Sequence, residues 1–391
     1  MRIAVIGVGT SGLMSLSQLL YSFDKDVEIV SIHSEKISIL GVGESTTPLF
    51  CTELGKGTGF NFLEHGSMLN ATIKHGVRFV NWRDHDFFHN FLNGNYGIHF
   101  DNSKLKDCVF ELIRNRWKKR FEEIIGEVQS VRNVTDGVEV SVNGSMYYFD
   151  YVIDSRGYPD DYTNYYVSKH IPVNHALVYT RNDTGIWNYT FHYAHKNGWM
   201  FGIPLEGRQG WGYLYNDKIT SKEKSLDDLS SLFKTKVLDS DVREFSFKNF
   251  YTKKLLDGRI ILNGNRCFFF EPLQAFSQML YYFVNTLFID FIKNKCDENF
   301  VNQYFSELVD DVEDNICFHY HGGSIHNTKF WKYTKKVTSD KLKKSKRFAD
   351  IKENLKYHNS RDTIYEATRW GLLDNYSCYL LDREFGYSYF N

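Results

Sequence analysis

Residues 2–7, RIAVIG, form a short unbroken apolar run, the pattern of a strand buried on both faces of a parallel sheet. LMSLSQLLYSF at 13–23 follows with helical spacing. A second β-branched run, VEIVSIH at 27–33, completes a compact strand–helix–strand unit. The stretch 41–48 is rich in Gly, Ser and Thr and reads as a loop. The spacing over 108–125 predicts a basic amphipathic helix with a solvated face. From 127 to 150 the period changes to two. Breaks at Asp136-Gly137 and Asn143-Gly144 predict an antiparallel meander with two tight turns. YVIDSRG at 151–157 returns to a buried strand that ends on a Gly turn. Residues 170–255 mix strands and loops, with a hairpin-like WGYLYNDK at 211–218. The run RIILNGN at 259–265 predicts another buried strand, feeding a loop and a long helix from about Gln274. Beyond 300 the chain reads helical, and its Lys-rich stretch at 335–347 reads as a solvated helix face.

Composition narrows the class of partner. The 391 residues are 42% hydrophobic and 24% charged, ordinary for a globular chain with ample material for a core. A formal net charge of −1 gives no field to recruit nucleic acid or an anionic membrane surface, so neither is expected as a partner. Aromatic residues reach 17%, which suits a flat aromatic ligand and equally suits a plain compositional habit. Cys51, Cys108, Cys267, Cys296, Cys317 and Cys378 are scattered without metal-ligand spacing. No metal site is expected, and a reducing cytoplasm is the expected compartment. The first residues run directly into a strand, so no signal peptide is expected, and LYYFVNTLFIDFI at 280–292 is interrupted by Asn285 and Asp290, too polar to span a bilayer.

The first loop carries the first chemistry. Gly7, Gly9 and Gly12 fall at GxGxxG spacing between a strand and a helix. One glycine permits a tight turn, the next lets the backbone approach a pyrophosphate, and the third allows close helix–strand packing. Thr10 and Ser11 open the helix, whose amide groups and positive dipole end favour phosphate. A ribose ligand at the end of the second strand is less distinct: His33, Ser34 or Glu35 could each reach it. FAD is favoured over NAD, because VIDSRG and RIILNGN both read as strands ending under a flavin. Flavoproteins related to the aromatic hydroxylases place a Gly-Asp pair there, and this chain has Gly264-Asn265, an amide that can still bond hydroxyls.

At this point the sequence resembles the flavin-dependent halogenases of the tryptophan type. The loop Gly41-Val42-Gly43-Glu44-Ser45-Thr46-Thr47-Pro48 is similar to the family's GVGEATxP beside the flavin. The segment from Lys74 through Gly76 and Phe79 to Asn81-Trp82 is similar to its KxGxxFxNW, which implies that Lys74 is the catalytic lysine. Trp199-Met200-Phe201-Gly202-Ile203-Pro204 resembles the diagnostic WxWxIP, with Phe201 in place of the second Trp. Leu205, Arg208 and GYLY at 212–215 fit as well. His319-Tyr320 and Phe330-Trp331 resemble a late HY…FW pair. These motifs run in order over roughly residues 1–335. One departs. The family's EPLESTG supplies a Glu and a backbone halide site, whereas Glu271-Pro272-Leu273 is followed here by Gln274, Ala275, Phe276 and Ser277.

The resemblance implies an α/β fold: a Rossmann-like FAD-binding domain of the flavin monooxygenase/halogenase type, an interleaved β-sheet substrate region, and C-terminal helices. Residues 1–335 would form the FAD-binding module, with nucleotide-binding parts at about 1–50, 150–160 and 255–300. The substrate-side sheet would lie at about 75–100 and 165–255, and 336–391 would be a C-terminal helical segment. The implied activity uses FADH2, O2 and halide to make hypohalous acid, relayed by Lys74 to an electron-rich aromatic small molecule. Implied cofactor-binding residues are Gly7, Gly9, Thr10, Ser11, Gly12, His33, Ser34, Gly43, Glu44, Ser45, Thr46, Gly264 and Asn265. Trp199, Phe201, Ile203, Pro204, Pro272, Gln274, Phe276 and Ser277 would line the substrate and halide side. A separate flavin reductase is the implied partner, and a homo-oligomer is left open. Two other readings stay open because of 274–277: a flavin-dependent aromatic monooxygenase, and a catalytically silent FAD-binding protein.

Overall fold

The computed structural model describes residues 1–36, 44–182, 185–357 and 370–390. Gly41, Val42 and Gly43 of the flavin-loop motif lie outside the described residues. The framework is a six-stranded sheet in the order Leu256–Asp257, Ile260–Leu262, Tyr151–Asp154, Arg2–Ile6, Glu28–His33 and Phe121–Ile125. All its pairs are parallel except the first. The apolar run at the N-terminus explains its place near the middle. Ile3 and Val5 point into the main core, Ala4 and Ile6 into a second one, and none of the four is more than 1% exposed. The main core lies under the helices Thr10–Ser22 and Phe276–Ile292; the second is closed by the meander Val128–Val134, Gly137–Val142 and Ser145–Phe149. Asn143 and Gly144 both take positive φ (49° and 82°), the two-residue turn expected of an Asn-Gly hairpin.

A seven-stranded sheet forms the second layer, in the order Val242–Ser246, His175–Arg181, Arg208–Tyr215, Gly198–Leu205, Thr190–His195, Gly76–Val80 and Phe87–Asn90. A small antiparallel sheet, Glu44–Ser45 with Gly97–Phe100 and Thr72–Lys74, packs against the strand Gly198–Leu205 of the seven-stranded sheet. The helices Glu298–His321, Lys329–Lys344, Lys346–Tyr357 and Asn375–Phe385 complete the chain, as the helical reading beyond 300 predicts. Phe385, near the C-terminus, packs its ring 5.2 Å from Phe87 and 5.6 Å from His319, so the last helix shares the main core.

Several local expectations are corrected. The helix expected at 108–125 runs instead over Asn102–Arg116, because Asp101 caps it by accepting from the Ser103 amide at 3.1 Å. Phe121–Ile125, read as its continuation, is an edge strand whose exposed Glu122 is paired with Arg2 at 2.8 Å. WGYLYNDK is not itself a hairpin: it is the second strand of one that turns earlier, at Glu206-Gly207, where Gly207 has φ 83°. Within 170–255, where strands and loops are expected, Ser221 caps a helix at Lys222–Phe233. The long helix expected from Gln274 starts at Phe276, after Gln274 and Ala275 both turn left-handed (φ 60° and 58°).

Candidate functional site

The loop between the first strand and helix is shaped for a ligand with phosphates. A side chain at Gly7 would meet the Ser155 carbonyl at 2.6 Å, and one at Gly12 would meet the Gly7 carbonyl at 2.0 Å, so both glycines are fixed by close packing. Gly9 differs: a Cβ there would meet nothing within 4 Å among the described residues. No side chain caps the helix Thr10–Ser22 that begins beside it, which leaves its first amides free for an anion. Gly264 crosses the same helix start, where a Cβ would lie 2.1 Å from Ser11 Oγ, and Asn265 follows half-buried. These residues fit a dinucleotide such as FAD, with Gly7, Gly9, Thr10, Ser11, Gly12, Gly264 and Asn265 drawn to one end of the sheet.

Other expected nucleotide ligands are otherwise engaged. His33 is 5% exposed with its ring 5.3 Å from Phe110, and burial lowers its pKa. Ser34 Oγ accepts from the Lys36 amide at 3.2 Å, and Glu35 is exposed. The Glu44 carboxylate accepts from Thr10 Oγ1 at 2.9 Å and from Gln278 Nε2 at 2.7 Å, tying the flavin-loop motif to two helix starts. Thr46 Oγ1 is committed to Ile98, donating to its carbonyl at 2.9 Å and accepting from its amide at 2.7 Å. Ser45 turns its hydroxyl the other way, toward Lys74.

Lys74 ends its strand 1% exposed. Its Nζ donates to Ser45 Oγ at 2.8 Å and stands 5.3 Å from the centre of the Phe91 ring. Among the described residues no carboxylate pairs with it. Burial alone brings its pKa down to about 7, because a charged ammonium loses hydration that no counter-ion replaces. His89, His99 and His192 lie close enough to feel its charge. Burial lowers all three, His89 to about 4 and the other two well below the ordinary histidine value. The result is a lysine able to exist as ammonium or amine near neutrality, in a setting of neutral imidazoles.

The sheet behind it is aromatic. Trp199, Phe201 and Ile203 alternate onto the face that also carries Thr190 and His192. Trp199 is fully buried 4.8 Å from the His192 ring, with its Nε1 unpartnered. Phe201 lies across Gly212, where a Cβ would come within 2.2 Å of its ring. Pro204 is buried and its carbonyl accepts from Thr72 Oγ1 at 2.7 Å. Trp82 and Trp331, from the two family-like NW and FW motifs, donate to the His192 and His195 carbonyls at 3.0 and 2.8 Å, anchoring this strand.

On the loop at 271–277, Pro272 is exposed, Phe276 is buried 6.4 Å from the His319 ring, and Ser277 is half-buried. The amides of Phe276 and Ser277 open a 17-residue helix with no side-chain cap. Gln274 Oε1 meets His89 Nδ1 at 3.2 Å, so it borders the lysine's surroundings through that histidine. Glu271 is 2% exposed with neither carboxylate oxygen bonded; Tyr320 faces it outside hydrogen-bond geometry, and burial pushes its pKa up to about 8. Sequence reasoning missed Thr72, His89, His99, Thr190 and His192, which sit on ordinary alternating strands, and Phe91, which follows one; none carries a motif of its own. Among the described residues no cluster of His, Cys, Asp and Glu could hold a metal ion, and no helix is long and apolar enough to cross a membrane.

The chain is similar in sequence and in fold to known proteins of one kind. The tryptophan halogenase family model matches residues 2–158 and 94–373. Tryptophan 7-halogenase RebH of Lentzea aerocolonigenes is 21% identical over 86% of this chain and 79% of its own length. Tryptophan 6-halogenase ThaL of Streptomyces albogriseolus is 23% identical over 86% and 79%. The crystal structure of a tryptophan halogenase from Shewanella frigidimarina superposes with a TM-score of 0.83 at 18% identity, covering 99% of this chain and 89% of that one.

Proposed function

Since the chain belongs to the tryptophan halogenase family, and is thus a flavin-dependent halogenase, an oxidoreductase, we propose that it halogenates an electron-rich aromatic small molecule with Lys74 as the residue that delivers the halogen. The supporting observation is the state of Lys74: a buried nitrogen without a carboxylate partner, brought to a pKa of about 7. Bound at the Gly7–Gly12 loop, FAD reduced by a separate reductase would supply two electrons and halide two more to O2, the oxidant, with hypohalous acid and water as the products. Everything after that is the work of side chains.

As an ammonium, Lys74 donates a hydrogen bond to the hypohalous oxygen and draws electron density from the halogen. As an amine, it attacks the halogen itself: an N–X bond forms, the O–X bond breaks, and the departing hydroxide takes the nitrogen's proton and leaves as water. Either way the aromatic carbon supplies the electron pair that takes the halogen, and the ring then loses a proton. With Gln at 274 no carboxylate stands there to accept it. A strongly activated ring tolerates that loss, since general-base help worth roughly 10²–10⁴-fold matters least where the proton leaves easily. Trp199 and Phe201 form the wall that keeps the flavin side apart from the substrate side, and the Phe276 and Ser277 amides offer the halide a site at a helix start.

Incubation with reduced FAD, O2, bromide and an electron-rich phenol, read by mass spectrometry, tests the proposal. A brominated phenol supports it. A hydroxylated product, or flavin oxidation with the phenol unchanged, refutes it.

A further inference from the structure

The face of the small sheet that carries Lys74 carries a connected set of polar side chains. Antiparallel pairing sets Ser45 opposite His99 and His99 opposite Thr72, and Lys74 lies two residues beyond Thr72, so all four leave the same side. Thr190, the first residue of its strand in the seven-stranded sheet, closes the gap between Ser45 and His99. Lys74 Nζ meets Ser45 Oγ at 2.8 Å, Ser45 Oγ meets Thr190 Oγ1 at 2.7 Å, and Thr190 Oγ1 meets His99 Nε2 at 2.9 Å. His99 Nδ1 then meets Thr72 Oγ1 at 3.2 Å, and Thr72 Oγ1 meets the Pro204 carbonyl at 2.7 Å.

Counting donors gives this chain one direction. A carbonyl only accepts, so the single Thr72 hydroxyl proton goes to Pro204. Thr72 therefore accepts from His99 Nδ1–H. His99 is fully buried and held neutral, so its Nε2 carries a lone pair and accepts from Thr190. Thr190 accepts from Ser45, and Ser45, its proton committed, shows Lys74 a lone pair. A lone pair aimed at Nζ favours the ammonium, whereas a hydroxyl proton aimed at it favours the amine.

We propose that His99, acting through Thr190 and Ser45, is a positioning residue that fixes Lys74 as a hydrogen-bond donor and so sets its protonation and aim. The consequence for catalysis rests on the functional reading of Lys74 given above. The other groups facing the lysine do not set this polarity. His89, from Phe87–Asn90, and His192, from Thr190–His195, are neutral through burial. Phe91 offers only a ring face, and Glu44, beside Ser45, directs its carboxylate to Thr10 and Gln278. Burial pushes Lys74 toward the amine, and the relay opposes it.

The test is a pH titration of Lys74 in the full-length protein labelled with ¹⁵N-lysine, the Nζ signal being assigned by its loss in Lys74→Met. Wild type should titrate near neutrality. His99→Gln places an amide oxygen where Nε2 stood, can still accept from Thr190, and should titrate with wild type. His99→Leu removes the acceptor, and Thr190→Val breaks the chain one step nearer the lysine. In both, the Ser45 proton can turn toward Nζ, and the titration should fall by about one pH unit. The pH at half-maximal halogenation rate should move by the same amount. Unchanged titration in a folded His99→Leu or Thr190→Val variant would overturn the relay, as would an equal fall in His99→Gln. The expected shifts in a protein whose wild type halogenates nothing would leave the relay standing and remove only the functional reading.

Discussion

Gln274 Nε2 lies 3.1 Å from His319 Nε2, and the partners on either side leave this bond one polarity. His319 Nδ1 donates to the Asn315 carbonyl at 2.7 Å, and burial brings its pKa down to about 3, so its Nε2 is a bare acceptor. The Gln274 amide donates to it and accepts on Oε1 from His89 Nδ1, while His89 Nε2 accepts from Ser377 Oγ at 2.9 Å. One side chain thus ties a loop, a strand and two helices, and it must donate on one side and accept on the other. An ionised carboxylate cannot do both.

Gln274→Glu should therefore destabilise the protein by about 1–3 kcal/mol near neutrality, the cost of an unmet buried polar group. The pH dependence has a definite sign. Relative to wild type, the folded variant holds one extra proton, shared between the introduced carboxyl group and His319, whereas the unfolded chain's carboxyl group loses its proton above about pH 4.3; the His319 titration of the unfolded chain is common to both proteins and cancels. The Tm deficit relative to wild type should therefore widen steadily as pH rises from about 4.3 through neutrality. A deficit independent of pH would show that the two side chains do not share a proton.

Gly9→Val should abolish FAD binding while leaving the fold intact. Gly9 has an ordinary φ of −70° and free space at its Cβ, so the change costs about 1 kcal/mol at the helix cap and clashes with none of the described residues, only with a ligand. Flavin fluorescence titration checks binding and thermal melting checks the fold. Wild-type FAD affinity in the variant would move the nucleotide site elsewhere.

Glu271 is a buried carboxyl group whose pKa is raised to about 8, and among the described residues neither of its oxygens has a hydrogen-bond partner. Folding holds a proton that the unfolded chain releases above about pH 4.5, so this group costs stability as pH rises from there toward 8. Glu271→Gln keeps the shape and removes the proton, so its gain in Tm should be larger at pH 8 than at pH 5. An equal change at both values would mean that the carboxyl is satisfied in the folded protein.

What could be read from the sequence was local. Gly7, Gly9 and Gly12 announced a tight strand-to-helix turn because their spacing is itself the structure of that turn. Lys74 stood out through its KHGVRFVNW segment, and the Trp199–Pro204 strand through its own motif. The edge strand at 121–125 was hidden because Glu122 and Glu123 gave it a helical, solvated look, while its pairing partner lay some ninety residues earlier at Glu28–His33. His99 and Thr190 were invisible for the same reason: only the register of Thr72, His99 and Ser45 brings them to the lysine. Gln274 read as a lost carboxylate, since nothing nearby in sequence shows that His89 and His319 flank it.

The most direct test of the account is Lys74→Ala assayed with reduced FAD, O2, bromide and an electron-rich phenol, following brominated product and flavin oxidation in the same reaction with a hypohalite scavenger present. In the proposed function the lysine acts after the oxidant has formed, so flavin oxidation and FAD affinity should stay at wild-type values while product falls below detection. Lys74→Arg should fail as well, because a planar guanidinium fork can neither take the place and aim of the compact lysine nitrogen nor supply a free amine. Wild-type product yield from Lys74→Ala would contradict the central assignment.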